Sequence, residues 1–259
     1  MHSNLLKDKV ALITGGAGGI GLAVASAYCR NGASVVLTDF NKNKLLEAKK
    51  KLQGPVLPLA LDVTDEDQTQ SVLDCAIEKY RKIDIVVPNA GILHLANFLD
   101  TETKDFKNLI ETNLVGAFIT AKICARQLIA QNHGGRIIFT SSLFGLTGGK
   151  ENSAYSASKF GMIGLMQCIA AELAEYQIQA NCICPGQMQT DMIEKLFNDR
   201  SKITGRPASE VKNALLNKIP MGKLGSMSDL AGTYLYLASD LSNYVTGQSF
   251  VVDGGWQVS

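Results

Sequence analysis

The chain has 259 residues, with 25 basic and 24 acidic side chains and a formal net charge of +1. This balance gives no electrostatic case for binding nucleic acid or an anionic membrane surface. No apolar run reaches the roughly 18 residues that a membrane-spanning helix needs, and residues 1–9 contain no apolar signal-peptide core. We therefore expect a cytoplasmic protein whose length suits one large domain over residues 1–259.

Apolar runs of strand length alternate with helical patterns along the whole chain. We predict strands near residues 9–14, 34–38, 56–61, 83–87, 136–141, 178–184 and 249–252. We predict helices near residues 19–31, 42–52, 65–81, 103–131, 153–175 and 227–239. Such alternation is typical of an α/β protein with a doubly wound parallel sheet, here of about seven strands, covered by helices on both faces. The six cysteines and three histidines have no metal-ligand spacing, so we expect no metal site.

A glycine-rich turn follows the first predicted strand. The apolar run 10–14 leads into several glycines, and a helical pattern begins near Ile20. A strand, a glycine turn and a helix form the start of a dinucleotide-binding unit. Within it Gly15, Gly19 and Gly21 would let the backbone approach a pyrophosphate at the helix N-terminus. The alternative is a tight turn that binds nothing.

An acidic residue ends the second predicted strand. Asp39 lies about 20 residues beyond the glycine turn, where a carboxylate accepts hydrogen bonds from the adenosine ribose hydroxyls. Because the same charge repels the additional phosphate of NADP, the sequence favours NAD as cofactor. The alternative interpretation of Asp39 is a solvated acid at a strand end.

Tyr155 and Lys159 lie four residues apart in a predicted helix. Positions at this spacing share one helix face, so the ammonium group can lie beside the phenol and lower its pKa from about 10. A tyrosine with a lowered pKa exchanges a proton with an alcohol or carbonyl oxygen. The pair by itself is also compatible with an exposed helix turn.

Five motifs in the right order give the chain a specific resemblance. The pattern T-G-x-x-x-G-x-G begins at Thr14, and Ser142 lies thirteen residues before Tyr155. From about residue 7 to residue 256 the chain resembles the short-chain dehydrogenases/reductases. The resemblance implies a single Rossmann domain and a catalytic tetrad, which falls here on Asn113, Ser142, Tyr155 and Lys159.

The resemblance also implies the remaining contacts with the cofactor. Asp62 and Val63 would meet the adenine ring, and the loop after the sixth strand would hold the nicotinamide. One motif departs from the family pattern, because Pro88 stands where an asparagine is usual and lacks a backbone donor. The expected cofactor-binding residues are Gly15, Gly19, Ile20, Gly21, Asp39, Asp62, Val63, Asn89, Ala90, Gly91, Tyr155, Lys159, Pro185, Gly186, Met188 and Thr190.

The activity implied by the resemblance is NAD(H)-dependent hydride transfer between a secondary alcohol or polyol and the matching ketone. Ser142 would bind the substrate oxygen, Tyr155 would act as general acid/base, and Lys159 would lower the pKa of the tyrosine. Asn113 would hold a water that links Lys159 to solvent, and Ser141 is the alternative to Ser142. Three other functions stay open: a 3-hydroxyacid dehydrogenase, a 3-oxoacyl-carrier-protein reductase and, remotely, a non-catalytic NAD-binding regulator.

The substrate pocket is predicted from position alone. Residues 191–219 contain two amphipathic segments around a Gly-Arg-Pro break, and they are predicted to form a helical substrate lid at the carboxyl edge of the sheet. A mixture of apolar side chains and amides there is typical of a site for small alcohols. The expected pocket residues are His94, Ser142, Phe144, Asn152, Gln187 and Met192, with Leu93, Leu143, Met188 and Leu196 as further walls.

The predicted helices 103–131 and 153–175 have small or apolar residues on more than one face. A helix that is apolar on two faces needs a second partner in addition to the sheet. We therefore expect a second copy of the chain against these helices, and residues 250–256 in a second interface of a homotetramer. The expected partners are a small-molecule substrate and further subunits, with no nucleic acid and no membrane.

Overall fold

The computed structural model describes residues 4–258, and a parallel sheet of seven strands forms its centre. The strands are β1 (Val10–Ile13), β2 (Ser34–Asp39), β3 (Val56–Ala60), β4 (Ile85–Val87), β5 (Gly135–Thr140), β6 (Ile178–Pro185) and β7 (Ser249–Val252). Their spatial order is β3-β2-β1-β4-β5-β6-β7, with every neighbouring pair parallel. The order reverses between β1 and β4, which confirms the predicted doubly wound Rossmann fold.

Helices connect the strands within the described residues. They are α1 (Gly19–Arg30), α2 (Lys42–Lys50), α3 (Glu66–Tyr80), α4 (Thr103–Ile110), α5 (Gly116–Gln131), α6 (Ser153–Leu173), α7 (Asp191–Thr204), α8 (Ala208–Leu216) and α9 (Met227–Ala238). The single helix predicted over 103–131 is two helices, because a π-helical turn at Glu111–Val115 separates α4 from α5. No described helix has the length and apolar character needed to cross a membrane. The prediction that residues 1–9 contain no signal peptide falls partly on residues 1–3, which lie outside the described residues.

The hydrophobic core consists of two layers, one on each face of the sheet. One layer joins side chains of α3, α5 and α6 to the sheet, and the other joins α1, α2 and α9. Every residue of β1 and of β4 is buried, as expected of central strands that are covered on both faces. The two layers hold the strand ends in a fixed arrangement, so side chains at the carboxyl edge are positioned by a rigid scaffold.

The predicted lid forms a helical pair with a small core of its own. Thr190 caps α7 by accepting a hydrogen bond from the Ile193 N–H at 3.3 Å, and Gly205, with φ +70°, ends the helix. Side chains of α7 and α8 pack with Leu95 from the loop after β4 and with Trp256 near the end of the chain. Residues 191–219 therefore contain an ordered helix pair above the carboxyl edge of the sheet.

Candidate active site

A cavity of about 910 Å³ opens at the carboxyl edge of the sheet. Its walls come from the glycine turn, the ends of β2, β5 and β6, the loop after β4, and the start of α7. Open α/β sheets bind their ligands at this edge, where the strand order reverses. The cavity therefore lies where the sequence motifs predict a dinucleotide and a substrate.

The glycine turn and the loop after β4 are tied together beside this cavity. Thr14 Oγ1 accepts hydrogen bonds from the backbone N–H groups of Asn89 and Ala90, at 3.0 and 3.1 Å. The Asn89 amide donates to the carbonyl oxygens of Thr14 and Gly15, both at 3.0 Å. Gly15 has φ +62°, and a Cβ there would lie 2.8 Å from the Ala90 Cα. A side chain at Gly15 would therefore separate the two loops.

The N-terminus of α1 and the end of β2 fit the phosphate and ribose groups of a dinucleotide. No side chain caps α1 at Gly18, and a Cβ at Gly18 would have no neighbour within 4 Å. A phosphate can therefore approach the first N–H groups of this helix closely. Asp39 lines the cavity and accepts hydrogen bonds from the backbone N–H groups of Ala17 and Asn41, both at 3.0 Å. These contacts hold the carboxylate beside the glycine turn.

Pro88 is accommodated because it follows β4 instead of lying within the strand. Its carbonyl oxygen accepts a hydrogen bond from the Thr140 N–H at 3.1 Å, which continues the link between β4 and β5. The loop after it keeps its contacts through Asn89. The departure from the family motif therefore leaves this side of the cavity intact.

Most of the expected cofactor-binding residues line the cavity, and four do not. Gly21 packs against the Gly15 carbonyl, and Ala90 contributes its backbone to the loop contacts. Asp62 accepts hydrogen bonds from the N–H and hydroxyl of Thr64, at 3.0 and 2.7 Å, and Val63 packs against Gly116. The cofactor-binding residues in the wall are Gly15, Gly19, Ile20, Asp39, Asn89, Gly91, Tyr155, Lys159, Pro185, Gly186, Met188 and Thr190.

Ser142, and not Ser141, shares a hydrogen bond with Tyr155. The Ser142 hydroxyl oxygen also accepts a hydrogen bond from the Phe144 N–H at 3.1 Å. The Ser141 hydroxyl instead donates to the Lys159 carbonyl oxygen at 3.0 Å. Successive residues after a strand point in different directions. The structure therefore distinguishes Ser142 from Ser141, which the sequence left as alternatives.

Burial governs the protonation of Tyr155 and Lys159. The Lys159 ammonium group donates to the Thr140 carbonyl oxygen at 2.7 Å and lies 5.6 Å from the centre of the Tyr155 ring. Burial lowers the pKa of Lys159 to about 8, while Cys182 and Cys184 oppose this shift. Burial raises the pKa of Tyr155, and the hydrogen bond with Ser142 opposes the rise. The structure thus departs from the expectation that Lys159 lowers the tyrosine pKa, because the desolvation of the phenol dominates.

Asn113 lies in the π-helical turn between α4 and α5, a type of turn that is frequent at functional sites. Its carbonyl oxygen accepts from the Ile92 N–H at 2.8 Å, and its amide donates to the Ile92 carbonyl at 3.0 Å. The amide also lies 3.3 Å from the Ser158 hydroxyl. The side chain therefore fixes the loop after β4 beside Lys159, and its expected contact with a water stays a prediction.

Two expected pocket residues are not among the described residues that line the cavity. His94 lies at the surface, where its Nε2 atom is 3.7 Å from the Asp105 carboxylate. Asn152 is 1% exposed, and neither atom of its amide has a hydrogen-bond partner. Position relative to a motif places a residue near the site, but it does not determine which way the side chain points. The pocket residues found in the wall are Leu93, Ser142, Leu143, Phe144, Gln187, Met188, Met192 and Leu196.

Two further contacts around the site were not predicted from the sequence. The carbonyl oxygen of Thr140 holds the Lys159 ammonium group, and Arg200 of α7 forms an ion pair with Glu151 at 2.8 Å. Backbone acceptors have no sequence signal, and the pairing of Arg200 with Glu151 depends on how α7 lies over the loop before α6. Among the described residues, no group of three or more acidic, histidine or cysteine side chains forms a metal site.

Comparisons with known proteins agree with this architecture. A family model described as "Enoyl-(Acyl carrier protein) reductase" matches residues 15–257. The 3-oxoacyl-[acyl-carrier-protein] reductase FabG of Thermotoga maritima is 37% identical, over 96% of this chain and 98% of that protein. The L-rhamnose 1-dehydrogenase (NAD(P)(+)) of Azotobacter vinelandii is 34% identical, over 97% of both chains.

A solved structure shows the same fold over the whole length. The short-chain type dehydrogenase/reductase from Mycobacterium marinum superposes with a TM-score of 0.90 at 36% identity, and the match covers 99% of this chain and 98% of that one. Family model, relatives and solved structure therefore agree with the motifs at the carboxyl edge of the sheet. This chain belongs to the short-chain dehydrogenase/reductase family of oxidoreductases.

Proposed function

We propose that this protein is an NAD(H)-dependent dehydrogenase that transfers hydride between a secondary alcohol, a class that includes polyols, and the matching ketone. The observation that supports the proposal is the joint placement of Ser142, Tyr155 and Lys159 in one cavity with the glycine turn. The proposal takes residues 1–259 as one catalytic domain, in which residues 191–219 act as the substrate lid.

Each side chain of the tetrad has a distinct role in this proposal. Ser142 binds the reacting oxygen, and Tyr155 exchanges a proton with it as general acid/base. The raised pKa of Tyr155 keeps the phenol protonated, which suits proton donation to a carbonyl oxygen. In the oxidative direction Tyr155 takes the hydroxyl proton, and the Lys159 ammonium group, 5.6 Å from the centre of the tyrosine ring, favours the phenolate that this step requires. A bound nicotinamide supplies hydride acceptance or donation, and Asn113 holds the loop that flanks Lys159.

The choice of NAD over NADP rests on the Asp39 carboxylate. It lies at the end of β2 beside the glycine turn, held by the N–H groups of Ala17 and Asn41. A negative charge at this place favours ribose hydroxyls and disfavours a phosphate. The name of the rhamnose dehydrogenase includes both cofactors, so the relatives do not decide between them.

We propose a homotetramer located in the cytoplasm, with no nucleic acid or membrane partner. Exposed apolar side chains on α5 and α6 support the subunit contacts, notably Phe118 and Phe160, which are 41% and 46% exposed. The net charge of +1 gives no electrostatic support for a nucleic-acid partner.

The second candidate is a reductase of 3-oxoacyl groups on a carrier protein. The relative from Thermotoga maritima has such a name, and it is 37% identical to this chain. A 3-hydroxyacid dehydrogenase is a further possibility within the same chemistry. These candidates differ from the main proposal in the group attached to the reacting carbon and not in the tetrad.

The test is a cofactor-linked assay over secondary alcohols, polyols, hydroxy acids and 3-oxoacyl thioesters, with absorbance at the reduced nicotinamide as readout. Tyr155→Phe keeps the ring and removes the hydroxyl, so we expect turnover to fall by roughly 10²-fold or more with cofactor affinity kept. Tyr176→Phe, the same change at an exposed tyrosine outside the cavity, is the matched control. Turnover of the Tyr155 variant at the wild-type rate contradicts the mechanism. Cofactor binding without turnover of any substrate class favours a non-catalytic regulator.

A further inference from the structure

We infer that the substrate of this site is an uncharged, compact and mainly apolar alcohol or ketone, in preference to a polyol, a hydroxy acid or a carrier-bound acyl group. The inference rests on the proposed function, because it concerns the substrate of the same cavity. It depends on the walls around Ser142 and Tyr155, which we call the reacting end of the cavity. The opposite end, beside Asp39 and α2, is the adenosine end.

The charged side chains in the cavity wall are concentrated at the adenosine end, on β2 and α2 or directly after them: Asp39, Lys44, Glu47 and Lys51. At the reacting end the lysine of the tetrad, Lys159, is 3% exposed and already bonded to the Thr140 carbonyl. Asp191, the first residue of α7, also lines the cavity, and its negative charge disfavours a carboxylate substrate. No described cation in this wall other than Lys159 is therefore placed to pair with an anionic substrate.

Apolar side chains form most of the wall at the reacting end, from the loops after β4 and β5 and from α7: Leu93, Leu143, Phe144, Met192, Ile193 and Leu196. Leu143 is 1% exposed, and Ile193 and Leu196 are each 5% exposed. The last two also belong to the small core of the lid, so their positions are fixed by packing. A substrate enclosed here therefore contacts hydrocarbon on several sides.

The polar groups nearest the reacting end are largely bonded to the protein itself. The Ser141 hydroxyl donates to the Lys159 carbonyl at 3.0 Å. The Thr140 and Tyr234 hydroxyls bond each other at 2.7 Å, and Thr190 both caps α7 and lies 3.4 Å from the Met188 carbonyl. Those hydroxyls are thus already bonded within the protein.

The side-chain groups that remain for further substrate hydroxyls at the reacting end are the amide of Gln187, which is 7% exposed, and the carboxylate of Asp191. Asn152, expected from the sequence to serve such a hydroxyl, is not among the described residues of the wall. A hydroxyl group buried without a partner costs free energy, whereas a ring carbon in the same place gains it. The geometry therefore favours a substrate with one or two oxygens over a fully hydroxylated one.

A series of alcohols with one ring size tests the inference. Cyclohexanol, trans-1,2-cyclohexanediol and myo-inositol have the same carbocycle with one, two and six hydroxyl groups. We expect kcat/KM to fall along the series, with inositol about 100-fold or more below cyclohexanol, because its additional hydroxyls lack partners. Methyl 3-hydroxybutanoate and its free acid form a second pair that differs in charge, and we expect the ester to be preferred.

A variant of the wall gives an independent measurement. Met192 lines the cavity and is 40% exposed, so Met192→Lys adds a cation there without disturbing a core. We expect this change to lower kcat/KM for cyclohexanol and to raise it for 3-hydroxybutanoate. Asn198→Lys adds the same charge at an exposed position of α7 that is not in the wall, and it is the matched control.

The outcomes separate the inference from the proposed function. Turnover in which inositol equals or exceeds cyclohexanol, or in which the acid exceeds the ester, overturns the inference and leaves the dehydrogenase proposal standing. A preference for 3-oxoacyl thioesters over all of these alcohols and ketones also overturns it. Failure to convert any alcohol or ketone overturns both.

Discussion

At the scale of single residues, burial changes the pKa of Lys159, and the sequence alone does not reveal this change. The ammonium form loses solvation in the folded protein, which lowers its pKa to about 8. In the unfolded chain a lysine titrates near 10.4. Between these two values the unfolded chain keeps a proton that the folded protein has released. Stability contributed by this group therefore rises with pH across that window.

This linkage gives a prediction for the pH dependence of stability. Lys159→Met removes the titrating group, so the free energy of unfolding of the wild type minus that of the variant should rise between about pH 8 and pH 10.4, by about 3 kcal/mol. Below pH 8 the difference should stay flat, because both states of the wild type are protonated. Urea unfolding at a fixed protein concentration measures it. A difference that falls with rising pH would show that Lys159 is stabilised as a cation.

Asp39 gives a prediction about the cofactor. We expect NADH to bind more tightly than NADPH, because the carboxylate repels the additional phosphate, and we expect Asp39→Asn to reduce the difference severalfold. Titration of both cofactors by nicotinamide fluorescence measures the ratio. Glu47→Gln is the control, since Glu47 also lines the adenosine end but pairs with Lys50 at 2.6 Å. Equal affinities of the wild type for both cofactors would refute the role of Asp39.

At the scale of elements, an ion pair joins the lid to the loop before α6. Arg200 of α7 lies 2.8 Å from the Glu151 carboxylate, and the two side chains are 23% and 12% exposed. Glu151 has φ +63°, a left-handed conformation that is uncommon outside glycine, and its carbonyl accepts a hydrogen bond from the Ala96 N–H at 3.0 Å. Glu151 thus links three segments around the cavity: the lid, the loop after β4 and the loop that leads to Tyr155.

We expect this ion pair to hold α7 in position over the substrate. Arg200→Gln and Glu151→Gln should each raise KM for the substrate by about fivefold, with little change in cofactor affinity. In the double variant the rise in KM should be smaller than the product of the two single effects. Steady-state kinetics and cofactor titration measure both effects. Lys195→Gln breaks a 3.9 Å pair with Asp199 on the exposed side of the same helix, and it should leave KM unchanged. Additive effects of the two changes would argue against coupling through the pair.

At the scale of the whole molecule, α5 and α6 expose apolar side chains opposite the face that packs on the sheet. A stripe of Ala157, Phe160, Gly164 and Cys168 follows the exposed face of α6, at a spacing that keeps the four on one side. Phe118 of α5 is also exposed, at 41%. Apolar groups arranged on a continuous helix face favour contact with another protein surface, and a second copy of the chain supplies one with closed symmetry.

We therefore expect a tetramer at micromolar concentration, and we expect Phe160→Glu to dissociate it by placing a charge in the contact. Light scattering after size-exclusion chromatography measures the mass of both proteins. Leu241→Glu is the control, because Leu241 is 65% exposed and belongs to neither α5 nor α6. A wild-type protein that remains a monomer would contradict this prediction.

The sequence by itself determined the order of strands and helices and the positions of the motifs. Alternating apolar runs depend on neighbours along the chain, so seven strands were predicted close to their observed bounds. The glycine turn and the Tyr155–Lys159 spacing are equally local. The break between α4 and α5 was not predicted. Asn113 in the π-helical turn bonds Ile92, a residue 21 positions away in the chain, and such a contact has no local sequence pattern.

Only the tertiary structure decided which side chains face the cavity and what surrounds them. In the folded protein Ser142 and Ser141 have different hydrogen-bond partners, His94 lies at the surface, and Asn152 is buried outside the cavity wall. The tertiary structure also determined that burial, and not the charge of Lys159, dominates the pKa of Tyr155. The physical reason is the same in each case. The direction of a side chain and the loss of its solvation both depend on atoms from distant segments of the chain. Those segments meet only when the sheet and its two helical layers are assembled.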